Sequence, residues 1–228
     1  MASLYRTSTI HDLQEFERAV YGLNNDRLYS TFDMLTQVQR FITRALKGIR
    51  KEEKKKATLN LLITMLWFMS LMNQLHINVQ EVTQNRFPNR CSYCGNRPCS
   101  CRKEKRTTRK KFDAAPIGKV LTIAELQGMF AAIYPARTRT LEHAGIHLAE
   151  ELGELAEAIM AFRGNLKDRE FEKISQEAAD FVSCLFGVCN SWDIDVAQEL
   201  ARMFSRNCHV CRQAPCACTP TFIANFAS

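Results

Sequence analysis

Between Leu148 and Phe162 the apolar residues Leu148, Leu152, Leu155, Ile159 and Phe162 recur at alternating intervals of four and three, the period of one helical face. The same rhythm returns in Ile174, Ala178, Phe181, Leu185 and Val188. Together with local start and stop signals, the pattern predicts four helices in the C-terminal half. Thr122 with Glu125 fits a capping box opening the first. The second covers Arg139 to Arg163, with Gly164 and Asn165 as stop and turn residues. The third covers Arg169 to Asn190, and the fourth Asp195 to Phe204. In the N-terminal half, "LNLLITMLWFMSLM" (59–72) is apolar on nearly every face, the pattern of a helix buried on most sides. Strand-like alternation appears over no useful length. The expected fold class is all-α.

The chain also repeats itself. "TIHDLQEFERAVY" (Thr9 to Tyr21) aligns without gaps on "TIAELQGMFAAIY" (Thr122 to Tyr134), an offset of 113 residues. "NQLHINV" (Asn73 to Val79) matches "NSWDIDV" (Asn190 to Val196), and "FPNRCSYCGNRPCSC" (Phe87 to Cys101) matches "FSRNCHVCRQAPCAC" (Phe204 to Cys218), now at an offset of 117. The four extra residues fall near Gly164 to Asp168, in the central turn of the second copy. The expected organisation is a tandem duplication: residues 1–101, a linker at 102–119, and residues 120–228.

Charge adds little to this picture. Arg102 to Lys111 carries +6 of the net +7, so the basicity is a local tether and reads as a solvated linker rather than a phosphate-binding arm. The first ten residues contain no signal-like apolar run, and the longest apolar stretch is too short and too interrupted to span a bilayer. A soluble cytoplasmic protein without membrane association is expected.

Candidate chemistry begins with the acids beside the two apolar stripes. Taking about 100° per residue, Glu151 and Glu154 lie roughly 60° and 120° to one side of the first stripe, with Glu150 further round. Glu177 and Asp180 lie at the same two angles from the second. A short turn makes the two helices antiparallel neighbours, and equal phase then brings the acidic flanks together. Carboxylates so placed repel, take up protons, or share a hard cation such as Mg²⁺ that prefers oxygen ligands. In the first copy the equivalent positions hold Gln37, Val38, Phe41, Asn60 and Ile63, so that copy has no such site.

"EELGE" (150–154), followed after 22 residues by "EAAD" (177–180), resembles the E-E-x-x-E…E-x-x-D signature of the MazG-like all-α nucleotide pyrophosphohydrolases. The resemblance spans roughly Ala124 to Asn207. It implies a helical bundle in each copy, the two copies pairing as an intrachain pseudo-dimer. It also implies Mg²⁺, or Mn²⁺, held by Glu151, Glu154, Glu177 and Asp180, with Glu150 as a further ligand or a water-orienting base. The implied reaction converts a nucleoside triphosphate to monophosphate and pyrophosphate. The family often carries a Lys four residues before an Asn at the end of the fourth helix, for substrate phosphates. Here Asn207 is present but Met203 stands at the lysine position, leaving Arg202 and Arg206 as substitutes. His147, one turn before Glu151, is a further substrate-binding candidate. The family also forms oligomers. A non-catalytic nucleotide sensor or scaffold of the same fold is the alternative.

Eight of the ten cysteines form two C-x2-C-x4-C-x-C runs, Cys91, Cys94, Cys99, Cys101 and Cys208, Cys211, Cys216, Cys218. Four thiolates so close suit one tetrahedral Zn²⁺ each, with disulfides or an iron–sulfur cluster as the alternatives. Recurrence in the copy that lacks the acids favours a structural role. With the basic linker, the two knuckles leave nucleic-acid binding as a less favoured alternative. His209, inside the second run, is expected to face solvent, and Cys184 to be a small buried residue bordering the acids.

Overall fold

A computed structural model describes residues 1–104 and 119–226, so the basic linker lies, apart from its ends, outside the described residues. In chain order the helices are α1 (Ile10–Glu17), α2 (Leu23–Leu28), α3 (Thr31–Arg50), α4 (Lys54–Gln74), α5 (Val79–Arg86), α6 (Cys101–Glu104), α7 (Ile123–Ile133), α8 (Leu141–Asn165), α9 (Asp168–Ser191), α10 (Val196–Met203) and α11 (Pro220–Asn225). The described residues are all-helical apart from turns and the two cysteine loops.

The capping chemistry acts as the sequence indicates. Thr122 accepts from the Glu125 amide while Glu125 accepts from the Thr122 amide, and Thr9 with Asp12 does the same at α1. One boundary differs. α8 runs through Gly164 and stops only after Asn165, with Leu166 in the left-handed conformation at φ 51°. The leucine takes the strained position that the glycine was expected to occupy.

The chain divides into two units that cut across the duplication. Unit one comprises Met1–Asn78 with Asp195–Ser228, and unit two is Val79–Ile194. Each unit therefore takes its first helices and long helix pair from one copy, and its fourth helix and cysteine loop from the other. The boundaries expected from the repeat, 1–101 and 120–228, do not coincide with these two units.

Aligned positions make matching bonds in the two units. Gln14 donates to the Ile77 carbonyl at 2.7 Å, and Gln127 donates to the Ile194 carbonyl at the same distance. The Cys99 amide donates to the Ile133 carbonyl at 2.8 Å; the Cys216 amide donates to the Val20 carbonyl at 2.7 Å. That second pair ties a cysteine loop of one copy to the first helix of the other, in both units.

In unit one, α4 is buried along nearly its whole length, from Ala57 to Met72. It packs on α3, whose inner face presents Met34, Val38, Phe41, Ile42 and Ala45. Glu17, aligned with Phe130 of the second copy, is buried and accepts from Ser70, Asn25 and Asn73. In unit two, α8 and α9 pack along their stripes, with Leu148, Leu155, Ile174, Phe181 and Val188 fully enclosed. α5 crosses onto α9, and that contact matters most for the site.

Among the described residues, no single helix is long and apolar enough to cross a membrane.

Candidate metal centre

α8 carries Glu151 and α9 carries Glu177 and Asp180 to one place, where an oxygen of each lies within 4.8 Å of the others. Glu177 and Asp180 are only 7% and 8% exposed. Glu154 and Glu150 are exposed and stand outside this triad. Angle from the apolar stripe does not separate them, because Asp180 shares the roughly 120° of Glu154; Asp180 is covered by Arg86 from α5, whereas Glu154 is left exposed. Three of the four expected ligands thus converge, and the fourth forms the rim.

One oxygen each of Glu151 and Glu177 is buried without a hydrogen-bond partner. Burial, reinforced by Asp180, Glu154 and Glu177, pushes the Glu151 carboxyl up to about 8. Burial and the same neighbouring acids raise Glu177, and burial raises Asp180 despite a bound arginine. Orphaned, mutually repelling oxygens of this kind fit a hard divalent cation.

That arginine is Arg86, at the end of α5. Its Nε and Nη2 donate to the two Asp180 oxygens at 3.2 and 2.5 Å, in a pair with side chains only 14% and 11% exposed. Its Nη1 reaches Gln176 at 3.5 Å. Arg86 offsets one of the three acids; the remaining two charges match one divalent cation. At the offset of 117, Arg86 aligns with Met203. The cation missing from the fourth helix of the second copy is present in the fourth helix of the first, and it is the first copy's helix that packs against these acids.

A second cation also went unforeseen. The Arg139 guanidinium lies against Gly187 on α9, where a Cβ would overlap it, and its buried Nε has no partner. Burial holds Arg139 below its ordinary value. Gly187 falls one turn beyond Cys184 and two beyond Asp180, so guanidinium and acids share a helix face. Cys184 lies at this border half-buried rather than fully buried as expected, its thiol raised by burial and by Glu151. His147 stands 3.9 Å from Glu150 and packs on His143 at 4.3 Å between ring centres; burial and His143 lower it.

The remaining substrate candidates belong to unit one rather than to the unit that carries the acids. Asn207 accepts from the Ala2 amide at 2.8 Å and donates to the Arg212 carbonyl at 3.0 Å, which makes it a brace of the second cysteine loop. Arg202 pairs with Glu199 at 2.6 Å, and Arg206 is exposed. Their reassignment follows from the exchange of fourth helices.

Both cysteine loops gather four sulfurs within 4.8 Å. Cys91–Cys101 and Cys94–Cys99 are separated by 3.7 and 3.8 Å, and Cys208–Cys218 and Cys211–Cys216 by 3.9 and 3.7 Å. A tetrahedron with Zn–S of about 2.3 Å requires edges of about 3.8 Å, so both clusters are compatible with zinc. The ten cysteines are free. Amides point at the sulfurs, among them Tyr93 to Cys91 and Val210 to Cys208, each at 3.4 Å. His209 does not face solvent as expected: it is wedged between Phe204 and Phe226.

Two expectations test this geometry. Arg86→Met copies the residue of the second repeat into the first and strands Asp180. It should destabilise unit two by about 3 kcal/mol at pH 8, measured by urea unfolding, with a smaller loss at pH 5 where Asp180 can take up a proton. The second concerns pH in the metal-free protein. Folded Glu151 keeps its proton up to about pH 8, whereas the unfolded group releases it near 4.5. The folded state is therefore favoured fully below that lower value, and the contribution is lost as pH rises through 8. After screening at this half-exposed position, about 1–2 kcal/mol should disappear between pH 5 and 9 in chelator. Mg²⁺ or Glu151→Gln should flatten that slope in urea titrations.

No family model, curated protein or solved structure matches this chain.

Proposed function

We propose that the chain is a Mg²⁺-dependent nucleoside triphosphate pyrophosphohydrolase with one site, in unit two, and with structural zinc in both cysteine loops. The observation that carries this reading is the convergence of Glu151, Glu177 and Asp180, two of them with orphaned buried oxygens, beside Arg86. A divalent cation there would supply positive charge for a triphosphate and Lewis acidity at its phosphorus–oxygen bonds.

The chain's own residues have separable roles. Glu151, Glu177 and Asp180 hold the cation. Arg86 orients Asp180 and faces the phosphates once the acids are neutralised. Arg139 extends the cationic surface along α9. Glu154, at the rim and electrostatically coupled to Glu151 and Glu177, accepts the proton of the attacking water, with Glu150 beside His147 as the other acceptor. Attack at the α-phosphorus with pyrophosphate leaving follows the resemblance described above. Within this reading the protein is cytoplasmic and the two units descend from the halves of a pseudo-dimer.

The test is a panel of ribo- and deoxynucleoside triphosphates with Mg²⁺, analysed for monophosphate and pyrophosphate. Absence of Mg²⁺-dependent pyrophosphate with every substrate rejects hydrolysis. A second reading, nucleotide sensing without turnover, draws on the Arg86 clamp, which already offsets part of the acidic charge. It expects triphosphate binding in calorimetry with no product.

A further inference from the structure

In unit one, two of the positions that match the acids of unit two line a cavity instead. Phe41 and Ile63 align with Glu154 and Asp180, and Trp67 aligns with Cys184; all three border a space of about 80 Å³. Phe204, His209 and Phe226 build the facing wall. Among the described residues, none that lines it carries a side-chain carboxylate, ammonium or guanidinium. Val38 and Asn60, which match Glu151 and Glu177, are packed away from the cavity, so the space remains only on the Phe41 and Ile63 side.

Tyr21, Asn25 and Ser70 add hydroxyl and amide groups to the lining, and His209 adds an imidazole. Its ring stands edge-on to Phe204 at 5.5 Å and to Phe226 at 6.0 Å, and both ring nitrogens are buried without a partner. Buried imidazoles ordinarily satisfy both nitrogens, and well-packed interiors leave few voids. A cavity that the chain's own side chains leave open, edged by an unpaired imidazole, has the character of a ligand pocket.

Its cover is α11, which buries none of its own residues. Arg40 donates to the carbonyls of Ile223, Ala224 and Phe226, and Arg44 donates to that of Phe226 at 2.6 Å. Phe222, 42% exposed, marks the mouth. The closed volume is about half that of an engineered cavity of about 150 Å³ that takes benzene, so entry of a ring requires α11 to shift outward.

We propose that this cavity binds a small uncharged planar heteroaromatic ring, held between aromatic walls and hydrogen-bonded to His209, with α11 as its movable cover. The aromatic walls select a flat ring, the lack of charged lining excludes phosphate or carboxylate groups, and the imidazole requires a donor or acceptor on the ligand.

Benzimidazole, which has one N–H and one acceptor nitrogen, serves as the probe. The full chain labelled with 5-fluorotryptophan reports through Trp67 in the wall and Trp192 outside it, by ¹⁹F NMR. A saturable shift confined to Trp67 is expected. Indene, the same shape without nitrogen, should bind about tenfold more weakly, and His209→Phe should weaken benzimidazole by a similar factor. Ile63→Phe, which fills the space, should remove the shift. An unmoved Trp67 resonance at the solubility limit overturns the proposal, as does an unchanged titration in Ile63→Phe. Equal affinity for indene reduces the site to a simple apolar void and also overturns it. Should His209→Phe lose its folded spectrum, the indene comparison and Ile63→Phe decide alone.

Discussion

Replacing Glu151 by glutamine should lower Mg²⁺-dependent pyrophosphate release by about 10³-fold or more while leaving the helix content unchanged. The magnitude follows from what the side chain does. Glu151 is the only member of the triad contributed by α8, so its loss leaves two ligands on one helix and none across the seam. Electrostatic stabilisation of charge in a phosphoryl-transfer step is commonly worth several kcal/mol, and each 1.4 kcal/mol is about tenfold in rate. Glutamine keeps the volume and removes the charge whose burial, reinforced by the neighbouring acids, pushes the Glu151 carboxyl up to about 8, so metal-free stability at high pH should rise rather than fall. A malachite-green or coupled pyrophosphate assay measures the rate, and circular dichroism the fold. Turnover at the parental rate would exclude the acidic cluster as the reaction centre.

Purified protein should carry two zinc ions per chain, and Cys91→Ser and Cys208→Ser should each remove one. The sulfur–sulfur separations already lie close to the edge of a zinc tetrahedron, so binding requires little rearrangement. Zinc stabilises small cysteine loops by about 10 kcal/mol in isolated peptides, and loss of about 5 kcal/mol or more from the affected unit is expected. The two variants should differ in location. Cys91→Ser should loosen unit two, where the Tyr134 hydroxyl faces the Cys91 sulfur at 3.4 Å, and Cys208→Ser should loosen unit one. Elemental analysis with limited proteolysis distinguishes these outcomes. Zinc contents near zero, or iron in its place, would contradict the assignment.

Much of this was readable from residue order because it depends on local periodicity. The helix limits, the capping residues, the buried character of 59–72 and the seam between α8 and α9 all follow from spacing along one segment. The convergence of Glu151 with Glu177 and Asp180 followed from phase plus a short turn. Glu154 did not join them although it shares the angle of Asp180, because angle gives direction but not cover: Arg86 closes over Asp180, and Glu154 is left in solvent. Arg86 was missed for a different reason. Repeat alignment places it opposite Met203, but nothing local tells a fourth helix which copy's bundle to cover. That choice is made by long-range packing, and it also removed Asn207, Arg202 and Arg206 from the acidic site. Arg139 was hidden because its place is created by an absence, the missing side chain of Gly187.

The exchange of fourth helices also limits how the molecule can be divided. A fragment beginning after the linker would carry the acids without the helix that covers them, and a fragment ending before it would bring Arg86 with nothing to clasp. Neither piece is a natural building block. The first could complete itself only by trading ends with another of its kind, and would then set methionine, not arginine, beside Asp180.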